Sequence, residues 1–176
     1  MEFVLIRHTA CDIEPGVCYG RLDVPLRSSA AEDIERTLRS VPGVSAIFAS
    51  PSQRCDRLAR RLAQRDACEL TLLPELRELD FGAWEGLHWN DVPRELSDRW
   101  ADDPWNRAPP DGETEAQLFE RVERAYHRIA SCGVARIAIV AHGGPLRLMR
   151  CLILGLPASE RWSWSIATGE AHRIAR

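Results

Sequence analysis

Apolar and polar positions alternate in blocks along the chain, and each block carries its own period. Residues 2–6 contain the unbroken run Phe3-Val4-Leu5-Ile6, which predicts a short buried strand. Residues 30–40 predict a helix with Ser28 or Ser29 as its N-cap. A second strand is predicted over residues 44–49. Residues 53–65 predict a helix that follows Ser50-Pro51 and keeps Cys55, Leu58 and Leu62 on one face. A third strand is predicted over residues 69–73. The clearest helix spans residues 114–131, where Leu118, Val122, Ala125 and Ile129 recur at helical spacing and Thr114 serves as a cap. Residues 136–141 predict another strand, and residues 145–154 a helix with Pro145 in its first turn. Residues 162–166 and 171–175 predict short edge strands.

Strands that alternate with helices predict an α/β fold, a sheet with helices on both faces. In such sheets ligands bind beyond the carboxyl ends of the strands. Three reactive clusters fall at such ends: Arg7-His8, the run Ser50 to Arg54, and His142-Gly143-Gly144. Residues 74–112 break the pattern. They hold Trp84, Trp89, Trp100 and Trp105, four of the six tryptophans, together with several prolines. This stretch predicts an excursion that caps the site. The expected organisation is one domain, 1–176, with its cap at about residues 74–112.

Composition narrows the chemistry. Hydrophobic residues are 45% and charged residues 28%, the balance of a soluble globular protein. A net charge of -3 is too mild to imply a nucleic-acid or membrane partner. The apolar run at the start is too short for a signal peptide, and the longest later one is broken by Arg147 and Arg150. A cytoplasmic protein is therefore expected. All 23 basic residues are arginine, which excludes chemistry built on a phosphate-loop lysine or a lysine Schiff base. Arginine suits bidentate phosphate binding. The six cysteines form no CxxC pair, so neither structural zinc nor a disulfide framework is expected. Reduced thiols, several of them buried, are the expected state.

The three strand-end clusters suit one reaction. A phosphate monoester dianion repels nucleophiles until its charge is neutralised. Arg7 and Arg54 can each offer a guanidinium fork to phosphate oxygens. His142, with Gly143-Gly144 and a helix start behind it, sits where backbone amides can face an anion. So positive a pocket disfavours protonated His8 and leaves the neutral imidazole that in-line attack on phosphorus needs. Glu78, in Arg77-Glu78-Leu79-Asp80-Phe81-Gly82, is the candidate proton donor to the leaving alkoxide. It would then act as base toward the water that hydrolyses phosphohistidine. Glu75, Asp80 and Glu85 are its rivals, and Asp80 or Glu85 can instead orient an arginine. Arg21 either touches substrate or braces its loop. Trp84 and Trp89 either stack on a flat leaving group or fill the core beneath the cap. His88, His127 and His172 read as structural; for His172, near the C-terminus, an approach to the site is the alternative, which the sequence does not decide.

Arg7-His8, Ser50-Pro51-x-x-Arg54, Glu78 ahead of Phe81-Gly82-x-Trp84-Glu85-Gly86, and Ala141-His142-Gly143-Gly144 resemble the histidine phosphatase superfamily over nearly the whole chain and in the same order. The resemblance implies a phosphoglycerate mutase-like fold, a three-layer α/β/α sandwich around a mostly parallel sheet. It implies His8 as the phosphorylated nucleophile, Arg7, Arg54 and His142 as phosphate ligands, and Glu78 as proton donor. Beside that implied set, Gly143 and Arg21 are the further candidate substrate-binding residues. It implies no metal or other cofactor, and a small-molecule phosphomonoester as partner. The runs from Pro15 to Leu26 and from Asp80 to Gly86 look like the bacterial α-ribazole phosphatase branch. That branch removes the 5′-phosphate of α-ribazole phosphate or cobalamin phosphate late in nucleotide-loop assembly.

Some positions depart from the pattern. Thr9 stands where most of the superfamily has glycine, and Glu14 where mutase-type members carry asparagine. The usual Pro-Leu-Thr-x-x-Gly stretch is here Pro25-Leu26-Arg27-Ser28-Ser29-Ala30. A broad-specificity sugar-phosphate phosphatase, a phosphohistidine protein phosphatase and a silent phosphate-binding scaffold are the alternative readings. Both a monomer and a dimer are compatible with the sequence.

Overall fold

Successive side chains of a strand point to opposite faces of its sheet, and here both faces of the central strands are apolar. The computed structural model describes all 176 residues, Met1–Arg176. Its strands are β1 (Glu2–Arg7), β2 (Ala46–Ala49), β3 (Glu69–Leu72), β4 (Arg136–Ala141) and β5 (Ala171–Ala175). They form one sheet in the order β3-β2-β4-β1-β5. Only β5 runs antiparallel, against β1. The helices are α1 (Ala30–Ser40), α2 (Gln53–Asp66), α3 (Arg94–Asp102), α4 (Glu115–Ala130) and α5 (Gly143–Leu154).

Phe3 and Leu5 of β1, with Ile137 and Ile139 of β4, pack on Leu118 and Val122 of α4 and Leu146 and Met149 of α5. Val4 and Ile6, with Ala138 and Val140, pack instead on Ile34 and Leu38 of α1 and Leu58 and Leu62 of α2. The alternation within each strand thus produces three layers, helix, sheet and helix. Because β4 lies between β1 and β2, the chain leaves all three strands side by side. His8 N donates to Ala141 O at 3.1 Å, and Ser50 N donates to Val140 O at 3.0 Å.

Several boundaries differ from the sequence expectation. Helix α5 begins at Gly143, two residues before Pro145. Proline is tolerated there because first-turn amides have no intrahelical acceptor. Strand β2 begins only at Ala46, since Val44 N donates to Asp66 Oδ2 at the end of α2. The strand expected over residues 162–166 is absent. Ala158–Ser163 instead winds as a 3-10 helix after Pro157, and Arg161 within it bonds to Glu115 and to Ala158 O. Helix α3 was not expected: it is nine residues long with only Leu96, Trp100 and Ala101 apolar, and none of its residues is buried. It belongs to the residue 74–112 excursion, which also holds three short 3-10 turns. No helix is long and apolar enough to cross a membrane. All six cysteines are free thiols, and Cys11, Cys18, Cys55 and Cys151 are buried.

Ser29 takes the N-cap position of α1, but its hydroxyl donates to Asp33 Oδ2 rather than capping a backbone amide. Thr114 closes a full capping box at α4. Its Oγ1 accepts from Gln117 N at 3.1 Å, and Gln117 Oε1 accepts from Thr114 N at 2.8 Å. Thr114→Ala is expected to lower unfolding free energy by about 0.5–2 kcal/mol, read as a lower urea midpoint at unchanged slope.

Candidate active site

The site is assembled at the carboxyl ends of β1, β2 and β4. His8 follows β1 directly and is 2% exposed. Its Nδ1 lies 2.7 Å from Thr9 O. A carbonyl can only accept, so Nδ1 carries the proton and Nε2 keeps its lone pair. Burial, opposed by the bond to Thr9 and aided by the Arg54 and Arg7 charges, pushes the His8 pKa down to about 3.

His142 ends the stretch after β4 and is fully buried. Arg54 Nε donates to its Nδ1 at 3.2 Å, so the proton sits on Nε2, 2.9 Å from Ser50 Oγ. The two imidazoles thus hold opposite tautomers, with ring centroids 5.2 Å apart. Burial holds His142 well below the usual imidazole range, helped by His8 and the Arg54 and Arg7 charges.

Arg54 is the second residue of α2, turned inward and 1% exposed. Its Nη1 donates to Leu22 O at 2.9 Å and its Nη2 to Gly20 O at 2.5 Å. The loop carrying those carbonyls hangs from Glu85, whose carboxylate accepts from Arg21 N, Leu22 N and Phe81 N. Only glycine fits at position 20, because a Cβ there would lie 1.9 Å from Leu79 O. The Arg7 side chain makes one hydrogen bond, from Nη1 to Ile166 O at 2.9 Å, and its Nε is buried without a partner. Gly143 lies against it: a Cβ at that position would meet Arg7 Cζ at 3.6 Å.

Glu78 approaches from the excursion. Its Oε2 accepts from Gly144 N at 3.3 Å, and its Oε1 from Leu79 N at 3.0 Å. A Cβ on residue 144 would sit 2.4 Å from Glu78 Oε1, so the carboxylate reaches the start of α5 only because residue 144 is glycine. Behind Glu78 stands Arg121 of α4, 7% exposed. Its guanidinium bonds to Glu75 O, Arg77 O and Glu78 O and forms an ion pair with Glu113. The sequence reading missed Arg121. Its signal was an arginine between Leu118 and Val122 on the apolar face of a helix.

Arg7, His8, Arg54, Glu78 and His142 line a single cleft of about 190 Å3, walled by Tyr19, Phe81 and Trp89. Arg21 does not line it. Its side chain pairs with Asp80 and Glu113 at 3.1 and 3.3 Å and braces the loop. Glu75 and Asp80 do not line it either. Trp84 is buried with Cys18 and Val92 beneath the cap, so of the two candidate tryptophans only Trp89 faces the cleft. His172 lines a separate crevice of about 630 Å3 with Thr9, Asp33 and Arg36. His88 Nδ1 accepts from Asn90 N, and His127 is exposed. No three His, Cys, Asp or Glu side chains converge as metal ligands.

Both histidines have folded pKa values below the ordinary 6.5, so the unfolded chain protonates first as pH falls. Their contribution to stability is complete above about pH 6.5 and is lost as pH drops from there toward 3. Nitrogen-15 correlation spectra at pH 7 are expected to show the Nδ1–H form of His8 and the Nε2–H form of His142. Protonation of either ring between pH 5 and 7 in the folded protein would contradict this geometry.

The sequence profile of the histidine phosphatase superfamily, branch 1, matches residues 3–175. The adenosylcobalamin/alpha-ribazole phosphatase of Escherichia coli is 29% identical over 177 residues, spanning 96% of this chain and 87% of that protein. Phosphoserine phosphatase 1 of Hydrogenobacter thermophilus is 24% identical, spanning 93% of this chain and 81% of its own length. Among solved structures, the alpha-ribazole phosphatase of Shigella flexneri superposes with a TM-score of 0.91 at 26% identity, covering 99% of this chain and 90% of that one. The chain therefore belongs to the histidine phosphatase superfamily, branch 1.

Proposed function

We propose that this phosphatase hydrolyses phosphomonoesters through a phosphohistidine at His8, with α-ribazole 5′-phosphate as its preferred substrate. One observation carries the mechanism. His8 is buried and neutral, its Nδ1–H is tied to Thr9 O, and its Nε2 lone pair is free beside two guanidinium groups. Arg7 and Arg54 neutralise the dianion, and the unused N–H groups of Arg7 serve as donors to its oxygens. Nε2 forms a bond to phosphorus as the ester P–O bond breaks. The departing oxygen takes its proton from Glu78. Water then attacks phosphorus, Glu78 accepts the water's proton, and the N–P bond breaks to release inorganic phosphate. Acid–base help supplies about 100- to 10,000-fold. Monoester hydrolysis demands accelerations of up to about 10^21-fold, so the preorganised positive pocket has to supply most of the effect.

The substrate reading rests on the alpha-ribazole phosphatases of Escherichia coli and Shigella flexneri and on the aromatic wall of Tyr19, Phe81 and Trp89, which suits a flat ring. A kcat/KM panel of α-ribazole 5′-phosphate, phosphoserine, 3-phosphoglycerate and sugar phosphates tests it. A preference for any of the others rejects the substrate without touching the mechanism.

Enzyme given labelled substrate and quenched in alkaline denaturant is expected to carry base-stable, acid-labile phosphate, lost in His8→Ala. Normal turnover by that variant would sink the mechanism. Gly144→Ala is expected to push Glu78 aside at little cost in stability. Its kcat/KM on alkyl phosphates, which reports only the transfer of phosphate to His8, should fall on the order of 100-fold. The kcat/KM for p-nitrophenyl phosphate, whose leaving group needs no proton, should fall much less. Equal losses on both esters would remove Glu78 from the acid role.

A further inference from the structure

A second hollow, of about 120 Å3, opens from the catalytic cleft and shares Tyr19, Glu78 and Phe81 with it. Glu78 stands at the junction. In the proposed reaction Glu78 protonates the ester oxygen, so the atoms beyond that oxygen lie in this second hollow. Two arginines line it, and they differ. Arg161 is spent: Nε and Nη2 hold Glu115 Oε2, and Nη1 donates to Ala158 O at 3.1 Å. Arg147, one turn along α5 from Gly144, is not spent. Its Nε is buried without a hydrogen-bond partner, and it forms no ion pair with Glu78 or Glu115, the two carboxylates that line the hollow and attract its charge from a distance. Its guanidinium lies over the Trp162 ring, 4.5 Å from the centroid. Stacking occupies the face of a guanidinium and leaves the N–H groups along its edge free to donate. An unpaired, half-buried cation in a mostly apolar hollow calls for an oxygen acceptor brought in by the ligand.

We propose that Arg147, steadied by Trp162, anchors the leaving group by donating to an oxygen on its alcohol portion: a hydroxyl, a ring oxygen or a carboxylate. The hollow then selects phosphate esters of oxygen-rich alcohols over esters of plain hydrocarbon alcohols. This rests on the phospho-His8 reading and adds a specificity determinant to it.

The test compares two primary alkyl esters of similar size, ribose 5-phosphate and cyclopentylmethyl phosphate, the second lacking every oxygen beyond the ester. Wild-type enzyme is expected to prefer ribose 5-phosphate. Arg147→Met should lower kcat/KM for ribose 5-phosphate by about 10- to 100-fold, the range of a hydrogen bond to a charged group, and leave the hydrocarbon ester within about twofold. Arg147→Lys, which keeps the charge without the fork, should fall between and guards against misfolding of the Met variant. Equal losses on both esters, or no loss on either, would overturn the anchor. Labelling of His8 from either ester reports separately on the nucleophile, so failure of the anchor and failure of the mechanism give different results.

Discussion

The structure turns on the burial of Arg54. A guanidinium taken out of water without a carboxylate beside it has to be satisfied by neutral acceptors. Arg54 finds three: Gly20 O, Leu22 O and His142 Nδ1. Each acceptor then constrains something else. The two carbonyls dictate the path of the loop after β1, which Glu85 holds from its amide side. The imidazole is forced into its Nε2–H tautomer and so binds Ser50. None of these partners cancels the charge. The pocket stays positive, which helps keep His8 neutral and leaves an anion as the natural counterpart.

The Glu78 side of the cleft is built on a different plan. Glu78 sits on irregular backbone, where nothing intrinsic to the chain would hold a carboxylate in place. Arg121 grips the carbonyls behind it, and Gly144 clears the space in front of it. A rigid helix therefore presses on the loop from each side, α4 through Arg121 and α5 through Gly144. His8, in contrast, needs no such bracing, because it follows a paired strand directly.

This difference explains what could be read from the sequence. Strand and helix periods placed Arg7, Arg54 and His142 because those residues sit at the ends of regular elements. The run 162–166 misled because apolar Trp162, Trp164 and Ile166 alternate as a strand would. Pro157 and the Arg161–Glu115 pair wind its first part as a 3-10 helix instead. Arg21 was legible as important but not in its role, since its partners Asp80 and Glu113 lie far away in the chain. Arg121 and Arg147 were invisible as functional candidates for the same reason. One grips loop carbonyls that no pattern announces, and the other is notable only for the partner it lacks.

The position of β4 between β1 and β2 has a further consequence. The separation of His8 from His142 is set by the hydrogen-bond register of a buried sheet, not by the loops that wall the cleft. Within residues 74–112 only Glu78 and Glu85 are tied to that centre, so the rest of the excursion and the turn after α5 can drift in sequence without retuning it. Such an architecture separates inheritance of chemistry from inheritance of taste. It lets one phosphoryl-transfer engine be fitted to new alcohols by changing only the walls around it.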